Sequence, residues 1–434
     1  MNEDLPSWLD GGSEHGVAQP PQAAEQRAPA SVEWTRRASG AAGGEGRPNR
    51  ARNRNSVRPR NRGAARRRRI ATLGLLGLVA AGGLVAIIHA AGGGPAATTP
   101  GSPRGAGQGA LPPVRYGPAS PPPAWPGPLP YPVLIADQGN HRLLLVSPTK
   151  KVLWQYPPSG PKAPAAAGAA PAEFVSFAPD GGSVIATGEH ESVLERIDFY
   201  TRTVLWHFGQ VGHAGGGSSR LDRPTAGYLL KNGNVLVADV GNCRELLINP
   251  AGRVAAVWGQ PQSGFCQTDT ARRLFGYPNG DQPQANGDIL MTFGSGDRIA
   301  LLSSQGAVIW DKPAPTLYGG VASDAQMAAG GDVLITGYGH PGAVVLWNPQ
   351  TGAVLWQYHV TSGPGALADP TLALPLPGGN VLVTDSGNNR VVVIDPQTGA
   401  IVWSYTGSSP GATLQDPSAA VLDLWRNWQT VEKP

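Results

Sequence analysis

The side chains that first suggest chemistry recur along the chain. Asp137 and Arg142, Asp239 and Arg244, and Asp385 and Arg390 stand at the ends of three Asp-x-Gly-Asn-x-Arg turns. Three carboxylates around one centre would serve as general acids and bases, and three guanidiniums would hold an anion. Recurrence at one position of a repeat argues for a structural role instead: the aspartate accepts turn amides and the arginine pairs with it. Six histidines follow residue 131, at positions 141, 190, 207, 213, 340 and 359. None sits in a Ser-His-Asp arrangement, beside a Gly-rich phosphate loop or at metal-ligand spacing. The two cysteines, Cys243 and Cys266, are too few for a four-cysteine zinc site or a disulfide-dense scaffold. These residues predict no catalytic centre, no cofactor and no metal.

What positions them is a repeat. Trp residues close short aliphatic runs at 154, 206, 258, 310, 356 and 403, at intervals of 52, 52, 52, 46 and 47. The last copy shows the unit. Asp369–Leu374, Val381–Asp385, Arg390–Ile394 and Ala400–Tyr405 read as four short strands a to d, separated by turns rich in Gly, Asn, Asp and Pro. No helical period lies between them, which excludes parallel α/β folds. Six copies of four strands predict an all-β, six-bladed β-propeller over residues 131–424. The first copy lacks strand a, because a Pro-rich stretch precedes it. Gln415–Leu422 repeats the pattern of Ala368–Pro375, so the ring is expected to close with a C-terminal strand, leaving 425–434 as a tail.

The composition divides the chain. Residues 1–69 hold 14 Arg, no Lys and 7 acids, whereas 131–434 hold 18 basic and 23 acidic side chains. The N-terminal segment lacks apolar periodicity and reads as a disordered, Arg-rich tail. Between Arg36 and Arg69 thirteen arginines face one acid, Glu45, and an uncharged run of 22 residues, Ile70 to Ala91, follows. That length crosses a hydrocarbon core of roughly 30 Å. Arginines directly before it predict a signal anchor with the N-terminus cytoplasmic and the C-terminal domain extracytoplasmic. A cleaved signal peptide would have a shorter apolar core and leader. Anionic headgroups account for the arginines beside the span, so the reading includes a single-pass membrane contact and no nucleic acid. Residues 92–130, dominated by Gly, Pro and Ala, read as a linker.

The turns at Asp137–Arg142, Asp239–Arg244 and Asp385–Arg390 resemble the NHL repeat. Asp395–Trp403 and Asn348–Trp356, both of the form Asx-Pro-Gln-Thr-Gly-Ala-x-x-Trp, resemble the tryptophan-docking turn of quinoprotein-like (PQQ-like) propellers. Both resemblances imply the propeller and admit binding modules, assembly factors and enzymes alike. A quinone enzyme would need calcium-binding acids, neighbouring cysteines and a catalytic aspartate. No vicinal cysteine pair or suitable non-repeated acid pair stands out. An arylsulfotransferase-like enzyme would need a histidine among basic anion ligands, and the domain is net acidic. The expected function is therefore non-catalytic binding or scaffolding of an extracytoplasmic protein, glycan or small ligand. A propeller enzyme of the arylsulfotransferase or quinoprotein type is the alternative.

Two further expectations concern particular residues. The b–c turns and d–a connections share one face of the ring, so Cys243, in a b–c turn, and Cys266, after a strand d, are expected to form a disulfide in an exported domain. Blades 2, 4 and 5 depart from the repeated turn and supply titratable or aromatic groups on that face. Glu189, His190, Tyr338 and His340, with the loop from His213 to Arg220, form the expected contact patch.

Overall fold

A computed structural model describes residues 121–158, 171–262, 265–407 and 413–430. Twenty-four strands form six four-stranded antiparallel sheets. Strands Val133–Asp137 (β1), Arg142–Val146 (β2) and Val152–Tyr156 (β3) begin blade 1. Blade 2 is Phe174–Phe177 (β4), Ser183–Gly188 (β5), Val193–Asp198 (β6) and Val204–Gly209 (β7). Blade 3 is Pro224–Leu229 (β8), Val235–Asp239 (β9), Arg244–Ile248 (β10) and Val254–Trp258 (β11). Blade 4 is Pro278–Pro283 (β12), Ile289–Phe293 (β13), Arg298–Leu302 (β14) and Val308–Pro313 (β15). Blade 5 is Val321–Met327 (β16), Val333–Tyr338 (β17), Ala343–Trp347 (β18) and Val354–Tyr358 (β19). Blade 6 is Pro370–Pro375 (β20), Val381–Asp385 (β21), Arg390–Asp395 (β22) and Ala400–Tyr405 (β23). Pro417–Leu422 (β24) returns to complete blade 1. The protein is a six-bladed β-propeller.

Closure follows the pleat. β24 pairs with β1 through Val133↔Leu422 and Ile135↔Ala420, so the last strand is the innermost strand of the first blade. Inner strands touch in the order β4, β8, β12, β16, β20, β24 and back to β4. Two devices join the blades. Near the axis, Thr187 Oγ1 donates to Thr225 O at 2.8 Å, Thr225 Oγ1 to Asn279 O at 2.9 Å and Asn279 Nδ2 to Ser323 O at 2.8 Å. This relay links blades 2 to 5. At the rim, the Trp154, Trp258 and Trp403 indoles reach the c–d turn of the next blade. Trp154 Nε1 donates to Phe199 O at 2.7 Å and Trp403 Nε1 to Pro148 O at 2.9 Å. Buried indoles add apolar contact to the satisfied N–H.

The strictly repeated Asp and Arg hold loops. Asp239 Oδ2 accepts from Arg244 Nε at 2.7 Å and Asn242 Nδ2 at 2.8 Å, while Oδ1 accepts from the Asp222 amide at 2.7 Å. Asp137 and Asp385 do the same for the amides of Gln415 and Ala368. The Arg244 guanidinium also donates to Gly216 O and Arg220 O, fixing the His213–Arg220 loop. Blade 4 lacks this clamp: Phe293 stands where the aspartate stands elsewhere, Arg298 pairs with Asp311, and Asp297 accepts the Ala322 amide of blade 5 at 2.9 Å.

Packing extends past the repeats at both ends. Leu129 is buried against blades 1 and 6. After β24 the Arg426 guanidinium lies 3.5 Å from the centre of the Phe199 ring, and Trp428 Nε1 donates to Asp423 Oδ2 at 2.8 Å. Among the described residues no helix is long and apolar enough to cross a membrane. The expected tail (1–69), span (70–91) and residues 92–120 of the expected linker (92–130) lie outside them.

Candidate functional site

The b–c turns and d–a connections surround one mouth of the channel. Four inner strands begin with a proline after a residue in the left-handed region: Arg223 (φ 53°), Tyr277 (φ 51°), Asp369 (φ 48°) and Asp416 (φ 50°). The backbone repeats here while the side chain varies. Asp416, Glu173 and Arg223 thus stand at the mouth on the neighbouring blades 1, 2 and 3, with Tyr277 on blade 4 and Asp369 on blade 6. Glu173 is half-buried, accepts from Ser418 Oγ at 2.9 Å and also receives the Gln138 amide. Burial, then the Glu189 charge, pushes its carboxyl up to about 8.

The irregular turns of blades 2 and 5 lean over this ring. Burial raises the Tyr338 phenol, and the charges of Asp369, Asp416, Glu173 and Glu189 add to the shift. Blades 2 and 5 are opposite each other in a ring of six. Tyr338 and Glu189 therefore feel one another only across the channel mouth. Burial also raises Glu189, with His190 and Arg223 opposing and Asp222 and Asp416 adding. Arg223 itself lies 3.6 Å from Asp222. The structure thus brings Glu189, His190 and Tyr338 into one electrostatic neighbourhood. His340, exposed in the same turn as Tyr338, and His213, exposed in the blade 2–3 connection, have no described contact that joins them to it.

An aromatic arc adjoins the acids. Phe265 is 61% exposed and meets the Tyr277 ring edge-on at 5.1 Å. Tyr277 O accepts from Gly294 N, and Gly294 also lies beside Ala322 O, next to Val321, which is 46% exposed. Val321 pairs in register with Tyr338, 44% exposed. The arc runs from blade 3's exit to blade 5's turn. Cys243 and Cys266 are bonded, with Cα atoms 5.6 Å apart, and tie the segment carrying Phe265 to the b–c turn of blade 3.

Below the mouth the channel is filled. The Tyr228 hydroxyl of blade 3 is within hydrogen-bonding reach of the Gln326 amide of blade 5, and the Tyr228 ring tilts against Phe174 of blade 2 at 5.3 Å. Three acids surround this plug. Glu245 of β10 and Asp281 of β12 are fully buried, no side chain other than each other reaches their carboxylates, and the two carboxyls lie within reach of each other. Such a pair is held by a shared proton. Burial pushes Glu245 well up and Asp281 up to about 7, and Asp324 of β16 reaches about 8 for the same reason.

This non-repeated acid pair was not expected from the sequence, yet it left a signal. In register, Glu245 occupies the place of Leu143, Leu194, Ile299, Val344 and Val391 in the other blades. Asp369, Asp416 and Tyr277 were also missed, and their signal is the variable residue before the inner-strand proline; Glu173, before Phe174, left no such mark. Among the described residues no group of three His, Cys, Asp or Glu side chains is arranged to hold a metal.

No curated protein matches the sequence. Similar solved structures include a protein of unknown function from Bacteroides caccae, at 16% identity over 67% of this chain and 98% of that one, with a TM-score of 0.46. Hydrazine synthase of Kuenenia stuttgartiensis matches at 14% identity over 64% of this chain and 77% of that one, TM-score 0.43. Virginiamycin B lyase from Staphylococcus aureus matches at 14% over 55% and 71%, TM-score 0.39. Likenesses at these identities and scores carry nothing about activity. The family model described as outer membrane protein assembly factor BamB matches residues 191–373 and, overlapping, 295–426. With more than half of its length covered by that model and six four-stranded blades in its fold, the chain belongs to the PQQ-like β-propeller repeat family.

Proposed function

We infer that this chain is a membrane-anchored, extracytoplasmic propeller that works as a non-catalytic binding or scaffolding module. The observation that carries the reading is the mouth itself. Side chains at positions free to vary between blades converge there from opposite sides of the ring, around exposed aromatic rings held on a rigid frame. The family model's description as an assembly factor agrees with a scaffolding role. The anchor rests on the arginine-flanked run Ile70–Ala91, with 1–69 as cytoplasmic tail and 92–130 as spacer.

Two measurements test it. Protease added to intact cells should remove the propeller and spare residues 1–69; a soluble mature protein beginning near Gly92 would overturn the anchor and keep export. Crosslinking in cells should capture an envelope partner through the mouth face. A well-folded Glu189→Ala, His190→Ala, Tyr338→Ala, His340→Ala protein with undiminished capture would reject the face.

The enzymatic alternative has one observation in its favour. Burial, with the charge of Glu191, pushes Glu195 up to about 7, a value suited to a general acid. It stands near Tyr156, whose phenol burial pushes up to about 12.

A further inference from the structure

We propose that the mouth is a receptor for a basic side chain, lysine or arginine, presented on an apolar stretch of an exported polypeptide. The proposal rests on the binding-module reading and names what is bound. Its first support is the pairing of two surfaces. Phe265 with Tyr277 on blade 4 and Val321 with Tyr338 on blade 5 form two exposed apolar pairs on the same face, and the charges of acids from blades 6, 1 and 2 act on Tyr338. Large exposed apolar groups on a rigid rim mark a contact surface. Ring faces attract organic cations, whose desolvation costs less than that of a small hydrated metal ion.

The second support is charge complementarity. The charges of Asp369, Asp416 and Glu189 all act on the Tyr338 phenol, and Arg223 is the cationic side chain beside Glu189. Arg223 already faces Asp222. Among the described ion pairs none engages Asp369, Asp416, Glu173 or Glu189 with a lysine or arginine. The acids come from three blades and do not gather into a metal-binding group. A cation on a long side chain, reaching in from outside, fits that spread better than a small ion that needs its ligands gathered around it. A polypeptide also accounts for the length of the aromatic arc, which would take the apolar residues flanking the cation.

The experiment uses the detergent-solubilised full-length protein and two capped peptides of glycine and phenylalanine, one carrying lysines and one carrying glutamates at the same places. Fluorescence anisotropy should show binding of the lysine peptide, weakening with salt, and none of the glutamate peptide. Asp369→Asn with Glu189→Gln should weaken binding roughly tenfold and flatten the salt dependence. Asparagine keeps the left-handed backbone at 369, so folding is preserved. Tyr338→Ala should weaken it about fivefold with melting unchanged. Equal binding of the two peptides, or lysine-peptide binding indifferent to the neutralised acids, would overturn the proposal. If the lysine peptide does not bind but Tyr338→Ala still abolishes partner crosslinking, the cationic assignment falls and the binding module stands. If neither responds, both fall.

Discussion

Replacing Asp324 by asparagine should make the protein more stable at neutral pH, although it removes a native charge-bearing group. Asp324 is buried on β16, with Oδ1 accepting from Gln326 Nε2 at 2.7 Å. Glycine at 280 makes its room, since a Cβ there would lie 2.3 Å from Oδ2. Burial raises its pKa from 3.8 to about 8, against the opposing Gln326 hydrogen bond and with some help from Asp281. In the unfolded chain the carboxyl loses its proton near 3.8; in the native state it keeps it until about 8. The native state therefore binds more protons across that window, and stability falls as pH rises through it. At about 1.4 kcal/mol per pH unit, the cost approaches roughly 4 kcal/mol at pH 7 and vanishes near pH 4. Asparagine has the same shape, still accepts from Gln326 and does not ionise. Urea unfolding followed by tryptophan fluorescence should find the variant close to the parent at pH 4 and clearly more stable at pH 8. The pH slope should shrink rather than vanish, because Asp281 and Glu245 retain theirs. A parent whose stability is flat or rising between pH 5 and 8 would refute the reasoning, as would a variant with the parent's full slope.

Deleting Gln415–Pro434 removes β24, the Asp137–Gln415 tether and the Arg426–Phe199 stack, and should cost roughly 5 kcal/mol or more while exposing the inner edge of β1; a truncated chain that melts like the full one would disprove this closure. Cys243→Ser with Cys266→Ser opens a link across a sequence separation of 23 residues and should lower stability by about 3 kcal/mol. Both thiols alkylated without reduction would show the native protein to lack that bond. Asp385→Asn should cost about 2 kcal/mol, because Arg390 and the Ala368 amide lose a charged acceptor; unchanged melting would return the repeated turns to candidates for chemistry.

Much of the fold was legible because its causes are local. Val381–Asp385 and Ala400–Tyr405 are strands as their alternation and bounding turns dictate, and β24 was recognisable from its likeness to β20. The Asp-x-Gly-Asn-x-Arg turns were legible in function as well, because both ends of the Asp239–Arg244 clamp lie within six residues. The site was legible only in part. Glu189 and Tyr338 could be singled out as departures from the repeat. That the Glu189 charge reaches Tyr338 across the axis depends on how a ring of six sets blade 2 against blade 5, a distance no local pattern encodes. Asp369 and Asp416 hid inside a regular feature, the residue before the inner-strand proline, where only the backbone repeats.

The same logic explains why the acids lie where they do. A repeated residue can be satisfied by its own blade, as Asp137, Asp239 and Asp385 are. A residue that appears once must find its partner in a neighbouring blade or outside the protein. Glu245 finds Asp281 across the blade 3–4 boundary, in a space closed by Tyr228 and Gln326, and the result is a shared proton. At the mouth the equivalent asymmetry is only partly covered: Asp416 is exposed and accepts the Ser386 hydroxyl of blade 6, while Asp369 and Glu189 are half-buried. Full burial of singular acids produces pH dependence, and partial exposure of singular acids beside Phe265, Tyr277 and Tyr338 produces a surface that a cation completes. Stability and recognition in this ring thus trace to the same kind of residue, sorted by depth along one axis.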